Sequence, residues 1–470
     1  MKDIIFLDHL KKYIYQHYDI TVIVIFLIAF LLRLLFCWYY PSIPPDSIGY
    51  YTAAINIANG NGYSACIEPP FEPYYFREPL TSYSFAIVIW LYKFFHHIDV
   101  IEYPVSWNPS EMQPVHQHII FGVRVLFILL QLTAIYIFSL IVRKKSNKKC
   151  SLIFLLICAL YFPLIANTTQ PLREPFVFFI LSIIGYCWVN YLVSSKAIYI
   201  IFIAFLNGSL CLFLQSYWVL ACFILLFMLI YNRRKLKVLF RHAILFLFFM
   251  SLPLAPHVYR VYQYYPDLRI VRTLGSALTF EYTKAMDAYR AFGASPWSVK
   301  DGDLPNNMKT HAEYFNSSAY KIFERSFDGT FQREAERLNA ANTKENIFHY
   351  YFDNYLLNLR NTIFMVGITY DYGVFCGNCS IKDVAKFFFV LPYLLFGLFA
   401  VLGLWPFLKK YWLLMPIFFY HSMLFFIYGS EERRQVMLIP YIICIVMFVM
   451  YQYYSKNKAK NENIGHLPDL

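Results

Sequence analysis

Runs of apolar residues at or near bilayer length recur along most of this sequence, and that recurrence constrains the fold more than any single motif. A helix of about 20 residues is about 30 Å long, the thickness of the hydrocarbon core. Inside that core each backbone N–H and C=O must be satisfied within its own segment, so such runs fold as helices. Ile20–Tyr40 is the first run and Ile119–Val142 the clearest. Of 470 residues, 59% are hydrophobic and 15% charged, with mean hydropathy +0.45, a balance that argues against a soluble protein. The expected fold class is therefore all-α: a polytopic membrane protein of about ten transmembrane helices, with outer juxtamembrane helices and a mostly helical outer cap. The net charge of +12 would point to nucleic acid in a soluble protein. In a membrane protein it reflects basic cytoplasmic loops and contact with membrane lipids, so no nucleic-acid partner is expected.

Basic residues set the orientation. Lys2, Lys11 and Lys12 precede the first run, which favours a cytoplasmic N-terminus and places the next loop outside. The polar start, with no cleavage pattern after the first run, reads as a retained anchor. Ile119–Val142 ends in RKKSNKK, Arg143 to Lys149, the strongest positive-inside signal in the chain. Keeping it inside requires that Pro79–Phe95 not cross, so that run is expected to be an amphipathic helix on the outer surface. The remaining runs then alternate. Ser151–Asn167 goes out to a short turn, NTTQPLRE, and Pro175–Val193 returns. Ala197–Leu214 goes out, Tyr217–Tyr231 returns, and Phe240–Pro256 goes out. Phe387–Leu408 returns, Tyr411–Tyr428 goes out, and Gln435–Tyr453 comes back to a Lys-rich tail. Residues 1–256 form an N-terminal transmembrane module that includes the first outer loop, 41–116. Residues 257–386 form an outer loop domain, and 387–470 the last membrane helices and a cytoplasmic tail. Neither internal repeats nor the broken helices of inverted-repeat transporters are evident.

Seven arginines break the positive-inside pattern: Arg33, Arg77, Arg124, Arg173, Arg260, Arg433 and Arg434. Near a helix end an arginine is ordinarily a headgroup anchor. Within a span, as Arg33 and Arg124 are, it costs several kcal/mol, roughly 3 or more at the bilayer centre, and faces a cavity or a partner. Together they suggest a site for a membrane-borne phosphate or diphosphate, whose oxygens match the guanidinium fork. Two carboxylates, Asp46 and Glu174, each head an outer element. Asp46 reads as a general base or as the N-cap of a short helix, Ser47–Ala58. Glu174 reads as a site residue or as a first-turn carboxylate neutralised by Arg173.

The stretch PPDSIGYYTAAINIANGNGYS, Pro44 to Ser64, followed by YYFREPLTSY, resembles the first outer loop of the GT-C class of integral-membrane glycosyltransferases. That class includes the dolichyl-phosphate-mannose protein mannosyltransferases and the bacterial aminoarabinose transferases of lipid A. GVRVLFILLQ around Arg124, REPFVFFILS around Glu174, LPLAPHVYRVYQ with Arg260 and EERRQVMLIPYI with Arg433 keep the family order. The resemblance implies an inverting transfer of a sugar from a polyprenyl-phosphate donor on the non-cytoplasmic face of a bacterial inner membrane, to an acceptor it does not specify. By it, Asp46 would deprotonate the acceptor. Arg77, with Arg33, Arg260 or Arg433, would hold the donor phosphate. Glu174 would position the acceptor or the basic cluster. Asp46-Ser47 replaces the Asp-Glu of many relatives, and Glu78 intervenes between Arg77 and Pro79. The alternatives are an oligosaccharide ligase and a transporter or flippase for a lipid-linked phosphate or diphosphate.

Smaller signals add little. Cys376 and Cys379 spell CGNC, which in an oxidising compartment allows a local disulfide. Asp301 and Asp303 spell D-x-D in a segment that reads as a turn. No cofactor is indicated. A lipid-phosphate leaving group does not demand a divalent metal, and no metal ligands are assigned. Walker, dinucleotide-binding and nucleophile-elbow patterns are not found.

Overall fold

The structure, a computed structural model, describes residues 16–39, 41, 43–71, 74, 78–264, 416–417, 420 and 439–464. Every described regular element is a helix. They are α1 Tyr18–Tyr39, α2 Pro45–Ala58, α3 Pro79–His96, α4 Pro114–Lys145, α5 Lys148–Leu160 and α6 Phe162–Asn167. After these come α7 Glu174–Ser194, α8 Ala197–Cys211, a 3-10 turn Gln215–Tyr217, α9 Trp218–Asn232, α10 Leu236–Tyr264 and α11 Ile439–Ile464. Four of them, α1, α4, α7 and α10, are long and apolar enough to cross a membrane. Shorter apolar helices are α8, α9 and the Ile439–Phe448 part of α11. Most of the outer domain and of the runs Phe387–Leu408 and Tyr411–Tyr428 lie outside the described residues.

The bundle has an apolar core and, unlike a soluble bundle, an apolar surface as well. On α1, Ile20, Ile23, Leu27, Leu31 and Leu35 are exposed while Arg33 is buried. A soluble amphipathic helix does the reverse. This arrangement suits a hydrocarbon solvent outside and polar partners within. Helices α1 and α4 run antiparallel, and α4 and α7 run in the same direction. Arg143 at the end of α4 lies over the ring of Tyr18 at the start of α1. Asn190 near the end of α7 accepts from Lys144. The bundle therefore has a basic end, carrying Arg143 to Lys149, and an opposite loop end, where α2 and α3 sit.

Helix α3 covers the expected run, with Pro79 in its first turn and His97 closing it in the left-handed region at φ 53°. It too is apolar on both faces. It buries Thr81, Ser82, Phe85 and Ile89, and it exposes Ile87, Trp90, Leu91, Phe94 and Phe95.

Two expected spans are built differently. Ser151–Asn167 is not one helix: α5 stops at Leu160, Tyr161 is extended at φ −69° and ψ 109°, and α6 restarts at Phe162. Pro163 accounts for the break, since it has no N–H for the Ala159 carbonyl and sits instead in the first turn of α6, where an N–H is not needed. A broken helix is thus present where continuous spans were expected. The second difference is at Pro256, expected to end a span. Helix α10 instead runs through both Pro253 and Pro256 to Tyr264, so Arg260 lies on the helix and not in a loop.

The α8–α10 contact accommodates these prolines through one glycine. A Cβ on Gly208 would lie 2.2 Å from the Met250 carbonyl oxygen and 2.7 Å from Pro253 Cγ. Both obstacles are parts of a rigid, proline-bearing helix that cannot yield cheaply. Gly208→Ala is expected to push α8 from α10 and cost about 3 kcal/mol, the upper end for overpacking. A thermal melt in detergent reads this, and an unchanged midpoint would show that the helices separate freely.

Candidate functional site at the loop end

The loop end is organised by α2. Pro44 caps this helix and Pro45 opens it, so Asp46 is its second residue and not its N-cap. The helix starts two residues before the expected Ser47, because proline is pre-organised for the first helical position. Tyr50 follows one turn after Asp46, on the same face. The side chain of Asp46 and all of Arg77 lie outside the described residues, as do Arg433, Arg434, Cys376 and Cys379.

After α2 the chain turns through Gly60 and Gly62, both in the left-handed region at φ 86° and 78°. Only glycine enters that region without strain, so the Asn-Gly-Asn-Gly signal is used as a turn. Asn56 fixes the returning strand of chain. Its amide donates to the Ser64 and Cys66 carbonyls, both at 2.9 Å. Its oxygen accepts from Asn61 at 3.2 Å and from the Tyr103 hydroxyl at 2.5 Å. Lys93 of α3 caps α2 by donating to the Ala58 carbonyl at 2.8 Å.

Two distant arginines close on this loop. Arg173, just before α7, donates to the Tyr50 hydroxyl at 3.0 Å, to Glu78 Oε2 at 3.2 Å and to the Phe213 carbonyl at 3.4 Å. It thereby ties α2, the start of α3 and the end of α8 to α7. Among the described residues its ion pair is with Glu78. Arg260 of α10 donates to the Tyr63 carbonyl at 3.0 Å, and its guanidinium lies 4.8 Å from the Tyr63 ring centroid. Tyr63 also packs against Tyr74 and Tyr83, at 5.4 and 6.0 Å between centroids. Burial holds the Tyr63 hydroxyl well above its usual range, with Tyr74, Tyr50 and Glu78 pushing the same way and Arg260 opposing them. Tyr63 is therefore a neutral hydrogen-bonding group and not a base. Glu174 is the first residue of α7, next to Arg173, and is 3% exposed.

Arg33 and Arg124 have a different employment. Arg33 is fully buried. Its Nε donates to Gln131 Oε1 at 2.8 Å, and its terminal nitrogens donate to the carbonyls of Ala29 at 3.1 Å, Ala159 at 2.9 Å and Cys158 at 3.3 Å. The Ala159 carbonyl is the one that Pro163 cannot serve, so Arg33 caps the broken end of α5 from across the bundle. Gln131 extends the clamp by donating to the Leu164 carbonyl of α6 at 2.7 Å. Arg124, two turns before Gln131 on α4, donates to the Thr169 carbonyl at 2.8 Å. The stretch it holds, Asn167 to Arg173, is buried throughout, although the sequence reads as a surface turn. Non-helical backbone at membrane depth is tolerated only where protein encloses it, and these side chains provide the enclosure.

Of the residues singled out in the sequence, Arg173, Arg260 and Glu174 reach the loop end, and the backbone places Asp46 there. Arg33 lies deeper, on a helix break. Asn56, Glu78, Tyr50 and Gln131 were not singled out. Gln131 carried a signal, a lone amide inside an apolar run two turns from Arg124. Glu78 carried none beyond its being an extra carboxylate in the loop. Among the described residues no cluster of three or more His, Cys, Asp or Glu side chains is placed to hold a metal. No protein family matches this chain, and no curated protein matches its sequence significantly.

Proposed function

We propose that this chain is a GT-C-type glycosyltransferase of about ten membrane crossings, with the loop end facing the non-cytoplasmic side of a bacterial inner membrane. It would move a sugar from a polyprenyl-phosphate donor to a lipid, glycan or protein acceptor. The observation that carries this reading is the convergence of Arg173 and Arg260, from α7 and α10, on the loop that Asp46 heads. In the reaction an acceptor oxygen or nitrogen attacks the anomeric carbon from the face opposite the phosphate. The carbon–oxygen bond to the phosphate breaks, and the electron pair leaves with the polyprenyl phosphate. Asp46 takes the acceptor proton, which a carboxylate can do once a good leaving group is in place. Arg260, with Arg77 and Arg433, is assigned to the phosphate, and Arg173 with Glu78 to holding α2 and α3 in register. Glu174 is assigned to the acceptor side.

A transporter for the same lipid-linked anion is the second reading, favoured by the break between α5 and α6, because transporters use interrupted helices at their substrate sites. One assay separates the two. The purified protein, reconstituted in liposomes with a polyprenyl-phosphate-linked sugar and solubilised membrane extract as acceptor source, is followed by mass spectrometry. Release of free polyprenyl phosphate with gain of the sugar on an acceptor is expected. Donor that crosses the bilayer intact, with no phosphate lipid released, would overturn the transferase reading.

A further inference from the structure

We infer that the basic end of the bundle is a docking surface for anionic phospholipid, centred on Tyr18, Arg143 and Lys148. This inference is independent of the glycosyltransferase reading, which concerns the opposite end. Tyr18 opens α1 and is 4% exposed. Its hydroxyl is 3.0 Å from Ser151 Oγ, which donates in turn to the Ser139 carbonyl at 2.9 Å. The ring is thereby fixed between α1, α4 and α5. Two cations are held on it. The Arg143 guanidinium lies 4.9 Å from its centroid and the Lys148 ammonium 5.5 Å.

Two like charges gathered on one rigid ring repel each other. Lys144 and Lys149 flank them, and Lys144 donates to the neutral Asn190. The one ion pair among the described residues, Arg173 with Glu78, lies at the loop end, and Asp19, beside Tyr18 in the first turn of α1, makes none with these cations. A diester phosphate placed between Arg143 and Lys148 would relieve the repulsion, and guanidinium and ammonium both bind phosphate oxygens. The choice of a lipid over a free anion comes from what adjoins the ring. Tyr136 and Leu129, one and two heptads before Arg143 on the same face of α4, are exposed at 40 and 51%. A headgroup phosphate at Arg143 and Lys148 would therefore lay its acyl chains along an apolar face already open to hydrocarbon. Juxtamembrane cations attract an anionic surface, and these are fixed in place before the lipid arrives.

The test uses the full-length protein in nanodiscs of phosphatidylcholine, with or without one-third phosphatidylglycerol. Phosphatidylglycerol is expected to raise the melting midpoint of the wild type by several degrees. An Arg143→Gln, Lys148→Gln double variant is expected to lose most of that gain. An Arg233→Gln, Lys235→Gln double variant removes the same charge from the chain beyond α9 and is expected to keep it. Equal gains in wild type and the first variant, or equal losses in both variants, would overturn the proposal, the second result pointing to diffuse screening. Inorganic phosphate added to phosphatidylcholine discs is the remaining arm; if it reproduces the gain, a free anion and not a lipid occupies the corner. Native mass spectrometry of the wild type covers the case in which the first variant does not fold. Preferential retention of phosphatidylglycerol over phosphatidylcholine is expected there, and its absence would be equally fatal.

Discussion

Asp46→Asn is expected to lower sugar transfer by at least about 100-fold, the lower range for loss of general-base catalysis, while polyprenyl-phosphate binding stays within about twofold. The substitution is nearly isosteric and removes the negative charge and with it the capacity to take a proton. Its structural cost is small for a reason visible in α2. Pro44 occupies the cap and Pro45 the first helical position, so the start of the helix does not depend on an aspartate cap. Losing a negative charge from the first turn costs roughly 0.5 kcal/mol. Tyr50, one turn on, keeps its contact with Arg173, and the α2–α7 junction is unaffected. The measurement is initial transfer rate beside binding of a labelled polyprenyl phosphate. Near-normal transfer would remove Asp46 from the mechanism. A parallel fall in both quantities would assign it to the donor site or to the loop's structure.

Arg33→Leu is expected to destabilise the bundle by about 3 kcal/mol or more, because open buried carbonyls cost roughly 1–3 kcal/mol each. Leucine fills part of the volume but leaves the Cys158 and Ala159 carbonyls and Gln131 Oε1 without their donor. Removing a buried charge returns some of that cost, which is why the loss is less than the sum over the bonds. Arg33→Lys should recover only part of the stability. An ammonium is a point donor and cannot reach acceptors on two other helices as the planar fork does. The melting midpoint and amide exchange across residues 158–169 read the effect, with exchange expected to rise there before it rises in α7 or α8. A phosphate-binding Arg33 makes the opposite pair of expectations, with donor binding lost and stability kept. Stability and local exchange that do not change on Arg33→Leu would show that the clamp carries nothing.

Arginines were the hardest residues to interpret from the sequence. Arg33, Arg124, Arg173 and Arg260 are all anomalous by the same rule, a cation away from the basic end. The structure gives them separate tasks: Arg33 and Arg124 hold a broken helix and a buried turn, Arg173 joins four elements, and Arg260 braces Tyr63. Glu78 looked like a departure from a family pattern and is the partner of Arg173. The buried turn from Asn167 to Arg173 looked like surface, because its polar composition is the same whether water or other helices surround it.

Local chemistry by itself determined the helices of the first outer loop, the proline start at Pro79 and the glycine turn at Gly60 and Gly62, while α2 starts at Pro45, two residues before the expected Ser47. Each of these depends on residues within a turn or two, through apolar periodicity, fixed φ or the lack of a Cβ. Tertiary structure alone decided that α5 breaks before Pro163 with Arg33 as its cap, that α10 continues through two prolines against Gly208, and which cation meets which acceptor. A proline leaves a carbonyl open, and whether the helix bends, breaks or continues depends on what a neighbouring helix offers that carbonyl. In Arg33 the donor stands 126 residues away along the chain, a separation across which no local pattern carries information.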